Sequence, residues 1–315
     1  MKVSVVITVF NEERSIAKLL KSLQFQTIRP DEIVIVDGGS RDKVIEIVRH
    51  FQKKDKRIKL LVEKCSRAKG RNIGVDIARN EIIAITDAGC IVHKRWLERI
   101  IKPFNNKEVE VVAGFYKMTG KSAFQKALSS YLGVLPSRFD VNYLPSTRSI
   151  AFRKELWLKV GGFPERLADT AEDTVFNYKI VQSDANIARV KKAIVEWGMP
   201  STLKGAFNKM FYYAKGDAKS KIWWHPTKKL SSHNIKILFV FARYMMGLVG
   251  VILTFRSPLL WLVLIAGLFL YFYWSFRKVF IEFGDCKIGM WGIVLQFTSD
   301  IAVMTGFLAG IFTKD

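Results

Sequence analysis

Cysteine is scarce, with three in 315 residues, at Cys65, Cys90 and Cys286, and neither a CxxC pair nor metal-finger spacing among them. That excludes a disulfide framework and a structural zinc site, and it fits a reducing compartment. Glycine-rich phosphate loops are missing as well. The turn after the first strand-like run is Phe10-Asn11-Glu12-Glu13, and no G-x-G-x-x-G occurs anywhere, which sets aside a Rossmann dinucleotide site. Acidic residues are few, 28 against 50 Lys and Arg, for a formal net charge of +22. A secretory pattern is lacking too: Met1-Lys2 runs straight into the strand-like VSVVITV, so residues 1 to about 235 are expected on the cytoplasmic side.

What is present divides in two. Half of all residues are hydrophobic and 13% are aromatic, which excludes disorder as the main state. Only seven Lys/Arg and four Asp/Glu lie from Lys236 onward, so the basic excess belongs to the first 235 residues and the apolar excess to the end. Three apolar segments, 237–255, 258–276 and 288–312, approach or exceed the ~20 helical residues that span a bilayer. Arg243 interrupts the first, and Gln296 and Asp300 interrupt the third. Such groups are costly in lipid, so an Arg243–Asp300 pair across the bundle is expected. Lys228, Lys229 and Lys236 before the first span, and Arg277, Lys278 and Lys287 between the second and third, outnumber Arg256 in the first hairpin. That asymmetry predicts a multi-pass cell-membrane protein with its catalytic domain cytoplasmic and Asp315 outside. Between the two parts, residues 201–235 mix helically spaced Leu203, Phe207, Met210, Phe211 and Ala214 with lysines and Tyr212, Tyr213, Trp223 and Trp224, an interfacial composition. Packing of that apolar face within the protein explains it equally well.

Residues 1–200 alternate strands and helices. Runs at 3–9, 33–36, 58–62 and 82–86 are short, apolar and β-branched, and amphipathic segments separate them. Asn11 and Ser40 are expected to cap the first two helices. The βαβαβαβ order implies an α/β fold with a mostly parallel sheet flanked by helices. Asp37 and Asp87 then end strands of the same sense, where open α/β sheets bind ligands. Asp87, in EIIAITDAGC (81–90), reads as an active-site acid or, more plainly, as a turn aspartate beside Gly89.

The motifs VVITVFNEE (5–13), IVDGGSRD (35–42), KGRNIGVDIA (69–78), ITDAG (85–89), VGGF (160–163) and AEDTVF (171–176) together resemble the family 2 glycosyltransferases of the GT-A fold. The resemblance covers about the first 215 residues. It implies that Thr8, Phe10, Asn11 and Glu12 line the base and ribose pocket, that Asp37 accepts a base N–H, and that Arg71 reaches the nucleotide, a surface ion pair being the other reading for Arg71. Asp87 corresponds to the opening acid of the family's D-x-D motif, which holds a divalent cation, Mg²⁺ or Mn²⁺, against the donor diphosphate. Gly89 occupies the third position. Either Asp87 with water suffices for the cation, or nearby Lys and Arg take over the diphosphate's charge. Asp173 corresponds to the general base and Glu172 to an orienting acid, against the plain reading of first-turn helix acids.

The expectation is therefore an inverting enzyme that moves a single sugar from a UDP- or GDP-sugar to a hydroxyl of a membrane-associated acceptor, a lipid-linked glycan or glycolipid. The family's processive Q-x-x-R-W motif is missing. Two alternatives stand beside this: a polyprenyl-phosphate glycosyltransferase, whose ionised acceptor needs no base, and a catalytically silent membrane-tethered binding protein. Nucleic-acid partners lack any supporting motif.

Overall fold

The computed structural model describes residues 1–167, 170–228, 230–257 and 259–313. The chain begins with β1 (Val3–Val9), α1 (Ile16–Gln24), β2 (Glu32–Asp37), α2 (Val44–Lys54), β3 (Ile58–Val62), α3 (Arg67–Ile77) and β4 (Ile82–Ile85). Next come β5 (Cys90–Val92), α4 (Trp96–Ile101), β6 (Val111–Thr119), α5 (Ala123–Leu132), β7 (Ile150–Arg153), α6 (Lys154–Lys159), α7 (Glu172–Gln182) and β8 (Ile187–Gly198). α8 (Leu203–Ser220), a small β9–β10 ribbon (Trp224–His225 and Leu230–Ser231) and three long helices, α9 (His233–Thr254), α10 (Leu260–Phe283) and α11 (Cys286–Phe312), complete it.

The chain forms two compact units. The first comprises residues 1–118, 136–198 and 226–228. Its eight-stranded sheet has the order β3-β2-β1-β4-β7-β6-β8-β5. β1 pairs in parallel with β2 and β4, and β2 with β3; β1, β2 and β4 lie inside the sheet and their apolar runs are almost wholly buried, whereas the edge strand β3 is largely half-buried. β7 is antiparallel to β4 and to β6, and β5 is antiparallel to β8. The core cluster joins Val6, Val34, Val36, Ile83 and Ile85 of the sheet to Phe152, Phe163 and Phe176.

Two helix starts differ from expectation. α1 begins at Ile16, because Asn11 lies in the left-handed region (φ 52°) and the turn of residues 12–15 intervenes. Ser40 does not cap α2; its hydroxyl accepts the Asn11 N–H instead, and Asp42 Oδ1 accepts the Val44 N–H.

The second unit comprises residues 119–135, 199–225 and 229–315. α9, α10 and α11 are each long and apolar enough to cross a membrane. α10 runs to Phe283, so Arg277 and Lys278 lie in its last two turns rather than in the following connection. Pro258, Lys229 and Asp315, which entered the span and orientation expectations, fall outside the described residues. α11 packs on α8 at Gly306 and Gly310, where a Cβ would meet the carbonyl oxygens of Phe211 and Lys215 at 2.3 and 2.5 Å. Small residues there let two backbones approach closely. Arg243 Nη2 pairs with Asp300 Oδ2 at 2.6 Å. The same carboxylate accepts the Tyr271 and Tyr244 hydroxyls, and Gln296 donates to Oδ1 at 2.9 Å. An otherwise expensive intrahelical acid is thus fully partnered.

Candidate active site

The glycines of KGRNIG decide where α3 lies. A Cβ on Gly74 would come 2.5 Å from Val6 Cγ1, and one on Gly70 would come 3.1 Å from Thr8 Cγ2. Without those atoms the helix settles onto β1, and Arg71 is carried inward to 1% exposure. Arg71 Nη1 donates to Glu172 Oε1 at 2.5 Å, while Nη2 donates to Asp87 Oδ1 at 2.9 Å and Thr147 Oγ1 at 3.1 Å. Arg71 is therefore not a surface ion pair. It is a buried tie between the end of β4 and the start of α7.

The next residue, Asn72, locks the opposite side. Its Oδ1 accepts from Phe163 N at 2.8 Å and Trp157 Nε1 at 3.1 Å, and its Nδ2 donates to Phe163 O at 2.9 Å. Gly161 and Gly162 of VGGF adopt φ values of +70° and +60°, the left-handed conformation glycine takes freely. Phe163 then stacks on Phe176 of α7 with ring centroids 4.0 Å apart, and the Arg71 guanidinium carbon lies 5.5 Å from the Phe163 ring centre. Ala171, held at φ 70°, turns the chain into α7, so that Glu172 is buried and Asp173 is half-buried. Asp173 Oδ1 accepts the Thr174 N–H at 2.8 Å.

Electrostatics bind this cluster. Burial opposes ionisation of Asp87, but the positive charges of Arg71, Arg148 and Arg67 outweigh it and hold its carboxyl below the usual carboxylate range. Burial likewise pulls on Arg71, and Asp87, Glu172 and Asp173 reverse it and raise its pKa. Arg67 adds a 3.7 Å contact to Glu172 Oε1. Glu172 Oε2 and Arg71 Nε are buried without a hydrogen-bond partner among the described residues.

A second group surrounds the ends of β1 and β2. Asp37 is fully buried, and its Oδ2 accepts from Gly39 N and Ser40 N, each at 2.9 Å. Its Oδ1 has no partner among the described residues. Asn11 N donates to Ser40 Oγ at 2.8 Å, Arg41 N to Asn11 Oδ1 at 2.9 Å, and Glu13 N to Asp42 Oδ2 at 2.9 Å, so the two loops are laced together. Phe10 is 58% exposed on that rim, and Thr8 is half-buried beneath it. The Glu12 carboxylate accepts the Ser15 hydroxyl. Its Oε1 lies 3.8 Å from where a Cβ on Gly89 would stand, so Glu12 brings the two groups together.

Among the described residues, no three His, Cys, Asp or Glu side chains converge to hold a metal. Asp87 gives one oxygen to Arg71, and Gly89 contributes no carboxylate. Among the described residues these side chains do not build a cation site of their own. Asn72, Thr147, Arg67 and Arg148 were not singled out from the sequence. Only Asn72 lies in a marked motif, KGRNIGVDIA, and the roles of all four are set by partners far along the chain.

A sheet with an acid at each of two parallel strand ends, one of them tied through a buried arginine to Glu172 at the start of α7, fits a nucleotide-diphospho-sugar transferase-like domain. The family model "Glycosyl transferase family 2" matches residues 4–160, and that part of the chain is a family 2 glycosyltransferase domain. Glycosyltransferase AglE of Haloferax volcanii is 29% identical over 172 residues, 52% of this chain and 57% of that protein, so the alignment spans little more than half the relative's length. Mannosyltransferase PcManGT from Pyrobaculum calidifontis, solved with GDP-Man and Mn²⁺, matches with a TM-score of 0.63 at 18% identity, covering 95% of this chain and 86% of that one. S. aureus TarS 1–349, solved with UDP, matches with a TM-score of 0.52 at 16% identity, covering 98% and 90%. At such identities the two structures show the fold, which is GT-A.

Proposed function

We propose that the protein is a membrane-anchored inverting glycosyltransferase that moves one sugar from a UDP- or GDP-sugar to a hydroxyl of a lipid-linked glycan or glycolipid. The observation that carries this reading is the convergence of Asp87 and Glu172 on one buried arginine, with Asp173 next in sequence to Glu172, together with the unpartnered Asp37 Oδ1 at the end of β2. In this scheme Asp37 Oδ1 accepts the base N–H, and Phe10 offers its ring face to the base, with Thr8, Asn11 and Glu12 around it. Asp173 takes the acceptor's hydroxyl proton while that oxygen attacks the anomeric carbon. The bond from that carbon to the diphosphate breaks, and its electron pair leaves with the nucleoside diphosphate. One displacement inverts the centre, and the base is worth ~10²–10⁴-fold in rate. Arg71 holds Glu172 and Asp87 in place and stays out of the chemistry.

A divalent cation enters this reading through the Mn²⁺ of the PcManGT complex. A Mg²⁺ or Mn²⁺ arriving on the diphosphate would meet a single carboxylate, Asp87, and would supply charge neutralisation. Residues 1–200 form the transferase domain, 201–235 the interfacial part and 236–315 the membrane part, with the transferase domain on the cytoplasmic side. Calorimetric titration of the detergent-purified chain with UDP and GDP tests the donor assignment. One of them binds, and Asp37→Ala weakens it; failure of both nucleotides to bind contradicts the proposal.

A further inference from the structure

β4 and β7 run antiparallel with Ile85 opposite Ile150. Just before β7, Thr147 and Arg148 form a tight turn closed by Ser149 N donating to Ser146 O at 2.8 Å, next to the end of β4. One nitrogen, Arg71 Nη2, reaches both Asp87 and Thr147, the residue preceding Arg148, and so brings this turn to the Asp87 turn. Arg148 is firmly held. Its guanidinium carbon lies 3.9 Å from the Trp197 ring centre and 5.0 Å from that of Tyr116, and its Nη1 donates to Ser146 Oγ at 3.0 Å. Trp197 in turn sits opposite Cys90 in the β5–β8 pair, and Cys90 directly follows Asp87-Ala88-Gly89. Arg148 is therefore clamped by aromatic faces against the turn whose third position has no carboxylate.

We propose that Arg148 binds the diphosphate of the nucleotide-sugar donor, supplying at the Asp87 turn positive charge that Gly89 cannot recruit through a cation. The proposal rests on the nucleotide-sugar reading above. Asp87 is already matched by Arg71, so its own power to retain a strongly charged cation is reduced. A guanidinium held over the Trp197 ring is fixed in position before a ligand arrives, and a planar guanidinium is well suited to donating to phosphate oxygens. Charge grows on the diphosphate as the sugar bond breaks, and a preorganised cation there gains strength in the transition state. The half-buried position of Arg148 is consistent with ligand access. Its electrostatic pull on the Asp87 carboxyl is that of a charge close by.

The test is titration of the full chain in detergent with UDP, UMP, GDP and GMP, in EDTA and again with Mn²⁺, comparing wild type, Arg148→Lys and Arg148→Gln. The expected result is that Arg148→Gln weakens the bound nucleoside diphosphate about 10–100-fold while leaving the corresponding monophosphate within about twofold. Arg148→Lys, with charge but no planar fork, falls between. Retained monophosphate affinity shows that the variant is folded. Diphosphate affinity unchanged in Arg148→Gln overturns the proposal, as does an equal loss of mono- and diphosphate, which would make Arg148 a structural clip. Wild type that binds neither diphosphate in either buffer removes the nucleotide-sugar reading itself, and this assignment with it.

Discussion

Arg71→Met removes the cation that two carboxylates share while keeping most of the side-chain volume. Glu172 is 2% exposed and loses its 2.5 Å partner; Asp87 loses a 2.9 Å partner. Breaking a buried ion pair from one side costs about 3–5 kcal/mol, because a charge is left in a poor medium. The Asp87 side chain is 29% exposed, so water screens its share and Glu172 supplies most of the loss. The pH dependence has a definite sign. The folded Asp87 pKa lies below its unfolded value of about 3.9, so its contribution is fully present above that value and fades as pH falls through the lower folded one. In Arg71→Met that contribution disappears, so the deficit is at its full size above about pH 4 and shrinks as the pH falls below that value. Urea unfolding followed by tryptophan fluorescence reads it, since Trp96 and Trp157 are buried in the same unit. An unchanged midpoint, or a deficit that grows toward acid, would refute the argument. Arg71→Lys, with a single nitrogen in place of the fork, is expected between the two.

Other outcomes follow from the same geometry. Gly74→Val forces atoms into Val6 and lowers stability by about 1–3 kcal/mol by separating α3 from β1, which a thermal melt detects. Asp300→Ala strands Arg243 and lowers detergent-phase stability by about 3 kcal/mol or more; the charge swap Arg243→Asp with Asp300→Arg recovers part of it, and a swap no better than either single change counts against the pair. Gly89→Asp fits without a clash, its nearest neighbour being Glu12 Oε1, and is expected to strengthen Mn²⁺-dependent nucleotide binding in the calorimeter.

The parallel half of the sheet was legible because strands buried on both faces leave unbroken apolar runs, and because glycine, serine and aspartate punctuate their ends. β5 and β7, three and four residues long, are too short to show a pattern, and β8 mixes half-exposed with buried positions and so tolerates mixed side chains. Asp37, Asp87 and Asp173 could be picked out as strand-end and helix-start acids in recurring motifs. Arg71 could be noticed, but its burial could not be read. The acids that make it tolerable are 16 and 101 positions away, and only the folded sheet brings them together. Arg148 had no local signal at all, because its clamp is built from Tyr116 and Trp197 on two other strands. The first helix start was misplaced because Asn11 bonds across to the β2 loop instead of capping its own helix.

The central claim is sugar transfer with Asp173 as base, and it is tested most directly by nucleoside diphosphate release. The purified chain is incubated with UDP- and GDP-sugars, with and without a membrane lipid extract, beside Asp173→Asn. The account predicts release from one donor class that depends on the extract, with Asp173→Asn slowed ~10²–10⁴-fold while still binding the nucleotide. Release that persists in Asp173→Asn would contradict the base assignment and favour an ionised phosphate acceptor. Binding without any release, from any donor, would contradict the transferase itself.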